Sequence, residues 1–576
     1  MRRLFLGWAV RRPFVLGLFG GLCFSALMLL SFAPVDAWPL AFVAAMPLVG
    51  LGELLAARRR GGVRRAALGA FIGAMPWWAF AMVWTARMTQ LGYPPAVVYL
   101  SIYAPLFVAV YALVRRRFPW LPVVVLAPLL WTGFEVIRGE WVFEGYPWYL
   151  IGHPLIEAPG WWFAWPAAFV GAYGVSVLVM VPGAAVLDWI GSHARWAIGG
   201  GTLSVVWLAL GVAGVGRPAE SGSVRIGLVQ TNVPQDIRTG WDPVERWGVW
   251  EMARDLTLEV AAPGDGGRGP DMIVWPETMF PGVGFQDDAA AAEEAAGLAW
   301  VLGPDRVIPA WEARERLLAL QRSLGVPMVI GATAFQDFAV IQDERGLRYD
   351  WSVRTNSAFL VAGGAVEDNP YSKLQLVPFG EVMPYVSAWP WLETQLLAVG
   401  ASGMAFDLSE GNGPVTLPVP VGGEPLRGDV VRVATPICFE STVSGVVREI
   451  VYRSPGGRAD AIVVLTNDGW FGDWDPGRLH HLQASRWRCV ELGVGMARAA
   501  NTGVSAFVDA TGRVIASGIA GEPGATRVAG TLVADLPTYR GMTAFGAAVG
   551  MWPARVLGWA TVVVAVLAFV LRRGRA

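Results

Sequence analysis

The first 215 residues alternate between long apolar runs and short polar segments. Each apolar run is about 20 residues long, which is the length that an α-helix needs to cross the hydrocarbon core of a bilayer. Seven runs precede residue 216 and an eighth lies near the end of the chain, so the pattern predicts a polytopic α-helical membrane domain of about eight spans. We place the spans near residues 13–32, 38–57, 67–86, 94–114, 119–137, 162–189, 196–215 and 545–571.

Arginine clusters between these runs indicate the side of the membrane on which each loop lies. All of the clusters fall on one side if the N-terminus is cytoplasmic, because positive charge favours the cytoplasmic face. We therefore expect both termini in the cytoplasm and the segment between the seventh and eighth runs outside it. The clusters are MRR and RR before residue 13, RRRGGVRR at 58–65, RRR at 115–117, Arg195, and RRGR at 572–575.

Between residues 218 and 543 the pattern changes to short β-branched runs that alternate with amphipathic stretches and Gly/Pro turns. Strands that alternate with helices over this length predict an α/β domain whose sheet is covered by helices. We therefore divide the chain into a transmembrane domain at 1–217, an external α/β domain at 218–543, and a transmembrane helix with a cytoplasmic tail at 544–576.

Two segments of the external domain, 284–311 and 386–404, interrupt the alternation, and we expect both to be surface elaborations. The second segment places Trp389 and Trp391 outside any strand pattern. Exposed apolar segments of this kind often mark interaction surfaces. In a domain tethered at both ends to a bilayer, Trp389 and Trp391 are candidates for contact with lipid.

Composition agrees with a membrane protein and excludes several classes of function. Hydrophobic residues make up 54% of the chain and charged residues only 16%, which is too apolar for an ordinary soluble enzyme. The net charge of −1 gives no electrostatic reason to expect a nucleic acid partner. Three cysteines and four histidines, without H-E-x-x-H or C-x-x-C, argue against a metal site. We expect neither a metal nor a cofactor.

Three polar residues stand at the ends of predicted strands in the external domain. Glu277 ends "MIVWPE", Cys438 follows the strand in "VVRVATPICFE", and Lys373, the one lysine of the chain, follows the strand "NSAFLVAG" after a turn. Strand ends carry sites in α/β folds because the sheet holds them rigidly while loops admit substrate. We therefore expect these three side chains to form one site.

A cysteine, a lysine and a glutamate together suit acyl transfer through a thioester. The thiolate is the attacking form of cysteine, and a nearby cation or a helix N-terminus should lower the pKa of Cys438. Glu277 can take the thiol proton and return it to a leaving group. The oxyanion that forms needs preorganised donors, which the Lys373 ammonium and the backbone N–H of Phe439 can supply.

Simpler interpretations stay open for each residue. Cys438 is also typical of a small buried hydrophobe, and it could instead form a disulfide bond with Cys489 outside the cytoplasm. Glu277 could be merely solvated, and a single lysine could remain by chance in an arginine-biased sequence. The whole membrane half could belong to a transporter, although ionisable residues inside the spans are sparse.

The motifs "VWPET", "YSKLQLVPFGE" and "PICFES" resemble the three active-site motifs of the nitrilase, or carbon–nitrogen hydrolase, superfamily. With its membrane spans, the whole chain resembles the apolipoprotein N-acyltransferase family. The resemblance implies that the external domain is an α-β-β-α sandwich. It also implies a triad in which Glu277 is the general base, Lys373 stabilises the oxyanion and Cys438 is the nucleophile.

The resemblance extends to residues around the triad. Glu381 and Glu440 match acidic residues that support it. The segment "NDGWFG" matches a loop near the site, which makes Trp470 a candidate for contact with substrate. The sequence departs from the family pattern at three positions: the family has histidine where Gln375 stands and tyrosine where Val382 and Phe439 stand. None of these departures removes a member of the triad.

The reaction that the resemblance implies needs two membrane-bound substrates. A phospholipid donates an acyl chain to Cys438, and the amino group of an S-diacylglyceryl cysteine at the N-terminus of an apolipoprotein accepts it. The family lies in the bacterial inner membrane with its catalytic domain on the periplasmic side. Nothing in the sequence demands a second subunit, so we expect a monomer. The alternative is a membrane-tethered amidase or nitrilase with the same triad.

Overall fold

The computed structural model describes residues 12–58, 62–191, 193–234, 242–263, 267–343, 346–385, 391, 408–422, 430–519, 522 and 524–573. The chain divides into two compact units. The first consists of Met1–Arg217, Leu479–Trp487 and Thr543–Ala576, and the second consists of Pro218–Arg478 and Arg488–Met542.

The first unit is helical. Its π-helical turns are Ile137–Trp141 and Phe545–Val549, and its 3-10 turns are Trp38–Leu40, His153–Glu157 and Trp161–Phe163. Its α-helices are Pro13–Ser31, Ala41–Ala44, Met46–Ala56, Val63–Ala81, Thr85–Met88, Tyr93–Ser101, Tyr103–Arg117, Val123–Val136, Ala167–Ile190, Ala194–Val212 and Trp552–Arg573.

Six helical segments among the described residues are long and apolar enough to cross a membrane. The prediction of a polytopic membrane domain is confirmed, but two of the eight predicted spans differ from these six. The span predicted at 67–86 corresponds to Val63–Ala81, which begins with two arginines after its first residue and is rich in glycine and alanine. The span predicted at 119–137 corresponds to Val123–Val136, which has 14 residues before the π-helical turn. The six segments are Pro13–Ser31, Trp38–Ala56, Tyr93–Arg117, Ala167–Ile190, Ala194–Val212 and Trp552–Leu571.

Close packing explains the small residues of Val63–Ala81. A β-carbon added at Gly69 would lie 2.2 Å from the carbonyl oxygen of Phe14, and one added at Gly17 would lie 1.9 Å from that of Ala66. The helices Pro13–Ser31 and Val63–Ala81 therefore approach backbone to backbone through glycines, as membrane helices commonly do. The same glycines lower the hydropathy of the second helix.

The second unit contains two main sheets and two separate hairpins. Its α-helices are Pro243–Ala261, Asp287–Ala295, Glu312–Leu324, Ser444–Arg453 and Asp475–Leu492, the last of which contributes Leu479–Trp487 to the first unit. Its strands are β1 (Ala219–Gln230), β2 (Met272–Val274), β3 (Ala299–Gly303), β4 (Arg306–Pro309), β5 (Met328–Gln336), β6 (Ala339–Asp343), β7 (Gly346–Asp350), β8 (Val353–Ala362), β9 (Ala365–Val366), β10 (Tyr371–Ser372), β11 (Thr416–Pro420), β12 (Val430–Ala434), β13 (Ala461–Thr466), β14 (Gly495–Ala500), β15 (Ala506–Val508), β16 (Val514–Ser517) and β17 (Gly530–Arg540).

The two main sheets form the sandwich that the resemblance implied. The first has the order β10-β8-β5-β2-β1-β17, with β9 beside β8, and the second has the order β11-β12-β13-β14-β15-β16. Strands β1 and β17 pack against β14, while Pro243–Ala261 covers the first sheet and Ser444–Arg453 covers β12. Strands β2 and β13 are fully buried, which explains their continuous apolar sequence. The predicted α/β fold is confirmed.

The segment 284–311 is more than a surface elaboration. It forms the helix Asp287–Ala295 and the hairpin of β3 and β4. Phe285 and Trp300 are buried in the hydrophobic core between the first sheet and its helices. Phe285 and Trp300 stand alone between polar and alanine-rich stretches, so they follow no helical or strand periodicity. Their contribution to the core is therefore not visible in the sequence.

Candidate active site

Glu277 lies just beyond the carboxyl end of the buried strand β2. The main chain continues to pair with β5 for one more residue, because Trp275 N donates a hydrogen bond to Val329 O at 2.9 Å. Glycine is required beside this turn: a β-carbon at Gly331 would lie 2.3 Å from Pro276 O and 2.8 Å from Glu277 Cα. Strand β5 therefore packs directly against the backbone of Pro276 and Glu277, at the edge of the sheet.

Two hydrogen bonds fix the Glu277 carboxylate. Asn356 Nδ2 donates to Oε1 at 2.7 Å, and the backbone N–H of Asn467 donates to Oε2 at 2.7 Å. The first donor comes from β8 and the second from the turn that follows β13. Sequence reasoning did not select either residue. The available signal was a polar side chain, Asn356, within the otherwise small or apolar run "TNSAFLV".

Lys373 directly follows β10 and is completely buried. Its backbone is held on both sides, because its N–H donates to Asn356 O at 2.9 Å and its carbonyl accepts from Gly411 N at 2.7 Å. The Nζ atom lies 2.9 and 2.7 Å from the two carboxylate oxygens of Glu381 and 3.9 Å from Glu277 Oε1. The structure therefore brings Lys373 together with both carboxylates.

Glu381 is positioned by the loop that separates it from Lys373. Its Oε2 accepts a hydrogen bond from Val377 N at 2.8 Å, so the loop closes on its own carboxylate. An ammonium has three N–H donors, and Glu381 has only two oxygens to receive them. At least one donor of Lys373 consequently remains for Glu277 or for an atom of a bound substrate.

Cys438 begins a 3-10 turn, Cys438–Thr442, after β12. A parallel bridge between Ile437 and Leu465 keeps the preceding residue in line with β13. The backbone of Cys438 then turns sharply, with φ at +54°, a region that non-glycine residues adopt at a cost of about 1–3 kcal/mol and mostly at functional sites. Phe439 follows in the same buried turn. No disulfide bond joins Cys438 to Cys489.

Glu440 ties the lysine segment to the cysteine turn. Its Oε1 accepts from Tyr371 OH at 2.9 Å, from Leu374 N at 2.5 Å and from Gln375 N at 3.0 Å. Its Oε2 accepts from Ile437 N at 2.8 Å. Burial raises the pKa of Glu440 to about 7, although Lys373 and the donated hydrogen bonds act in the opposite direction.

Electrostatics in this site differ from the sequence prediction in one respect. We expected the lysine to lower the pKa of the Cys438 thiol. Burial and the Glu277 carboxylate instead raise that pKa, and together they outweigh the opposing effect of Lys373. The pKa of Lys373 lies above its ordinary value, because the carboxylates of Glu381 and Glu277 outweigh the lowering caused by burial.

The remaining candidates differ in burial. Trp470 is half-buried in the 3-10 turn Asp468–Phe471, which Asn467 caps. Trp391 is 68% exposed, and Trp389 falls outside the described residues. Gln375 contributes its backbone N–H to Glu440, so a change of its side chain leaves that contact intact. Within the described part of the chain, no group of three or more His, Cys, Asp or Glu side chains could hold a metal ion.

The arrangement provides a nucleophile, a fixed carboxylate and a fixed cation in a buried setting. Burial favours the protonated thiol of Cys438, and the carboxylates of Glu277 and Asp468 act in the same direction. Water does not screen the positive charge of Lys373, because its side chain is inaccessible to solvent. Such a site suits attack on a carbonyl carbon with transient negative charge on oxygen.

Comparisons with known proteins match the helical part of the chain and the α/β part to two family models. A family model described as carbon-nitrogen hydrolase matches residues 225–540, and one described as apolipoprotein N-acyltransferase N-terminal domain matches residues 24–185. Among solved structures, an amidase from Nesterenkonia sp. is 18% identical with a TM-score of 0.32, covering 56% of this chain and 92% of that chain.

Curated relatives resemble the chain over nearly its whole length. The apolipoprotein N-acyltransferase of Rhodopseudomonas palustris is 29% identical over 581 residues, covering 96% of this chain and 94% of that protein. The apolipoprotein N-acyltransferase of Haemophilus ducreyi is 26% identical, covering 91% of each chain. The resemblance seen in the sequence motifs is confirmed. The chain belongs to the carbon–nitrogen hydrolase family, and the domain that precedes its hydrolase domain is the N-terminal domain of apolipoprotein N-acyltransferases.

Proposed function

We propose that this protein transfers an acyl chain from a phospholipid, through a thioester on Cys438, to the N-terminal amine of an S-diacylglyceryl cysteine in apolipoproteins. The observation that carries the proposal is the buried group formed by Glu277, Lys373 and Glu381, in a chain that a relative named apolipoprotein N-acyltransferase matches over 96% of its length. Both substrates of this reaction are lipids or lipid-anchored, which suits an enzyme embedded in a membrane.

The first half of the reaction forms the thioester. Glu277 takes the thiol proton as the sulfur of Cys438 attacks the ester carbonyl carbon, and the carbonyl electrons move to oxygen. Lys373 Nζ and the backbone N–H of Phe439 stabilise that oxyanion. The intermediate then collapses, the ester C–O bond breaks, and the departing alkoxide takes the proton from Glu277 to leave a lysophospholipid. The donor ester is already activated, so no nucleotide is consumed.

The second half transfers the acyl chain to nitrogen. The amine of the acceptor attacks the thioester carbonyl carbon and gives a proton to Glu277. The oxyanion forms again at the same two donors, the C–S bond breaks, and the thiolate recovers its proton from Glu277.

Orientation in the membrane follows from the arginine clusters. We propose that both termini are cytoplasmic, that residues 218–543 lie on the periplasmic side of a bacterial inner membrane, and that the chain acts as a monomer. Trp470 and Trp391 are the described candidates for contact with the substrates. Trp470 lies in the turn that Asn467 caps, and the Asn467 backbone N–H donates to Glu277, so a substrate that contacts Trp470 would lie near the general base.

The direct test is the transfer of acyl groups to an acceptor amine. Detergent-purified full-length protein is incubated with a phosphatidylethanolamine that carries a labelled acyl chain and with a synthetic S-diacylglyceryl-cysteine peptide. Mass spectrometry should find the label on the peptide N-terminus, and Cys438→Ser should abolish the product. A folded wild-type protein that produces no N-acylated peptide, but hydrolyses small amides, would favour the amidase alternative.

A further inference from the structure

Thr466, at the carboxyl end of β13, lies beside the nucleophile. An isolated parallel bridge joins Ile437, three residues beyond β12, to Leu465 in β13, so the next residues along the two segments, Cys438 and Thr466, are neighbours. Thr466 is completely buried, and a side-chain hydrogen bond from it acts to lower the pKa of the Cys438 thiol. No motif in the sequence pointed to this residue, since "AIVVLTND" reads as an ordinary buried strand.

The hydroxyl of Thr466 is also held from its other side. Its Oγ1 donates a hydrogen bond to Asp468 Oδ1 at 3.0 Å. Asp468 in turn accepts two hydrogen bonds from Arg498 Nη2, at 3.1 and 2.9 Å, and both charged side chains are completely buried. The chain from Arg498 through Asp468 to Thr466 therefore ends on the sulfur of Cys438.

The space around Asp468 is closed. The Asp468 carboxylate packs against Gly503 and fills the space that a side chain there would need, because a β-carbon at Gly503 would lie 1.9 Å from Asp468 Oδ2. Strand register places Arg498 and Thr466 on the same face of the sheet, because Arg498 pairs with Val464 and Val464 shares its face with Thr466. The ion pair is thus part of the sheet edge and keeps the Thr466 hydroxyl in one place.

A hydroxyl has one donor and two acceptor lone pairs, which limits what Thr466 can do. While Cys438 is a thiol, Thr466 can donate to Asp468 and accept from sulfur. Once Glu277 has taken the thiol proton, sulfur needs a donor, and the hydroxyl can rotate towards it. The negative charge of Asp468 stays paired in that step, because both of its oxygens still accept hydrogen bonds from Arg498.

We propose that Thr466 is a positioning residue that donates a hydrogen bond to the Cys438 thiolate, and that Asp468 and Arg498 hold it ready to do so. The charged groups that face Cys438 are Glu277, Lys373 and Asp468. Two of these are negative and oppose the thiolate, so a neutral donor at the sulfur lowers the cost of forming it without adding charge. The inference rests on the proposed role of Cys438 as nucleophile.

The test measures thiolate formation without any lipid substrate. The rate of Cys438 alkylation by iodoacetamide, followed by mass spectrometry against pH, reports the apparent pKa of the thiol. Loss of a hydrogen bond to a charged group should slow alkylation of Thr466→Val about tenfold or more near neutral pH and move its profile to higher pH by about one unit or more. Thr466→Ser should restore most of the wild-type profile.

Thr435→Val is the matched control. Thr435 is also completely buried and lies three residues before Cys438, yet its hydroxyl has no hydrogen-bond partner among the described residues. Its removal should leave the alkylation profile unchanged. If Thr466→Val does not fold, as judged by its melting temperature, the smaller Thr466→Ala takes its place with the same expected shift.

A folded Thr466→Val or Thr466→Ala protein with the wild-type alkylation profile would overturn the inference. Failure of the proposed function would look different, because wild-type protein would then form no N-acylated peptide whatever the alkylation profile of the variant. If the wild-type protein shows no acyltransfer but the Thr466 variants still shift the alkylation profile, the role of Thr466 at the thiol is supported and only the proposed reaction is overturned.

Discussion

Replacing Lys373 by arginine keeps a positive charge at this position but changes the geometry of its N–H donors. Lys373 is completely buried, and its Nζ lies 2.7 Å from Glu381 and 3.9 Å from Glu277. Arginine keeps the positive charge and can still pair with the Glu381 carboxylate, but its charge is spread over a planar fork. A compact donor that points at the oxyanion is lost, while most of the local charge balance is kept.

The expected loss follows from the number of oxyanion donors. Only two are assigned, Lys373 Nζ and the Phe439 N–H, and removal of one such donor typically costs about 10²–10³-fold in rate. Arginine is also larger than the completely buried Lys373 that it replaces, and overpacking a buried site typically costs about 1–3 kcal/mol of stability. We therefore expect Lys373→Arg to form thioester about 10²–10³-fold more slowly while remaining folded.

The assay is a single-turnover measurement of the acyl adduct by intact-protein mass spectrometry, with the melting temperature measured on the same sample. Lys373→Met is the companion variant: it removes the charge and leaves the Glu277 and Glu381 carboxylates buried without compensation, which should lower stability by about 3–5 kcal/mol. Thioester formation by Lys373→Arg at the wild-type rate would refute the assignment of Lys373 as an oxyanion donor.

Three further predictions follow from the same contacts. Gly331→Ala should lower the melting temperature and the rate of thioester formation, because its β-carbon would meet Pro276 O at 2.3 Å, whereas Gly248→Ala, which has open space within a helix, should lower neither. Asn356→Leu should slow thioester formation about tenfold or more, since it removes a hydrogen bond to the general base, without abolishing alkylation of Cys438. Folding raises the pKa of Glu440 from 4.5 to about 7, so its neutral form contributes about 3 kcal/mol of stability that is complete below pH 4.5 and is lost as pH rises through 7. The fall in melting temperature between pH 5 and pH 8 should therefore be smaller in Glu440→Gln, and an equal fall in both proteins would contradict the assigned pKa.

Sequence patterns predicted the fold class well because both units depend on periodic burial. Continuous apolar strands such as β2 and β13 and apolar runs of membrane length are visible without any structure. The span predicted at 67–86 is not among the six apolar segments, because the glycines of the helix Val63–Ala81 serve close helix packing and reduce its hydropathy. The core residues Phe285 and Trp300 were missed because they lie in a non-periodic segment.

The sequence predicted only those site residues whose own side chains take part in the chemistry. Glu277, Lys373 and Cys438 stand at strand ends with chemistry that the sequence displays, and the structure brings Glu277 and Lys373 within 3.9 Å of each other. The donors to Glu277 were not predictable, because one is a backbone N–H and the other depends on strand order. The direction of the Cys438 pKa shift also needed the structure, since burial and the distance to Glu277 decide it.

The central claim is that Cys438 carries the acyl chain between two substrates. The most direct measurement incubates the full-length protein with acyl-labelled phosphatidylethanolamine alone and then locates the label by peptide mass spectrometry. We expect one acyl chain on Cys438, and its loss when the S-diacylglyceryl-cysteine peptide is added, with a matching gain on the peptide amine. Folded protein that N-acylates the peptide without ever carrying label on Cys438 would contradict the account.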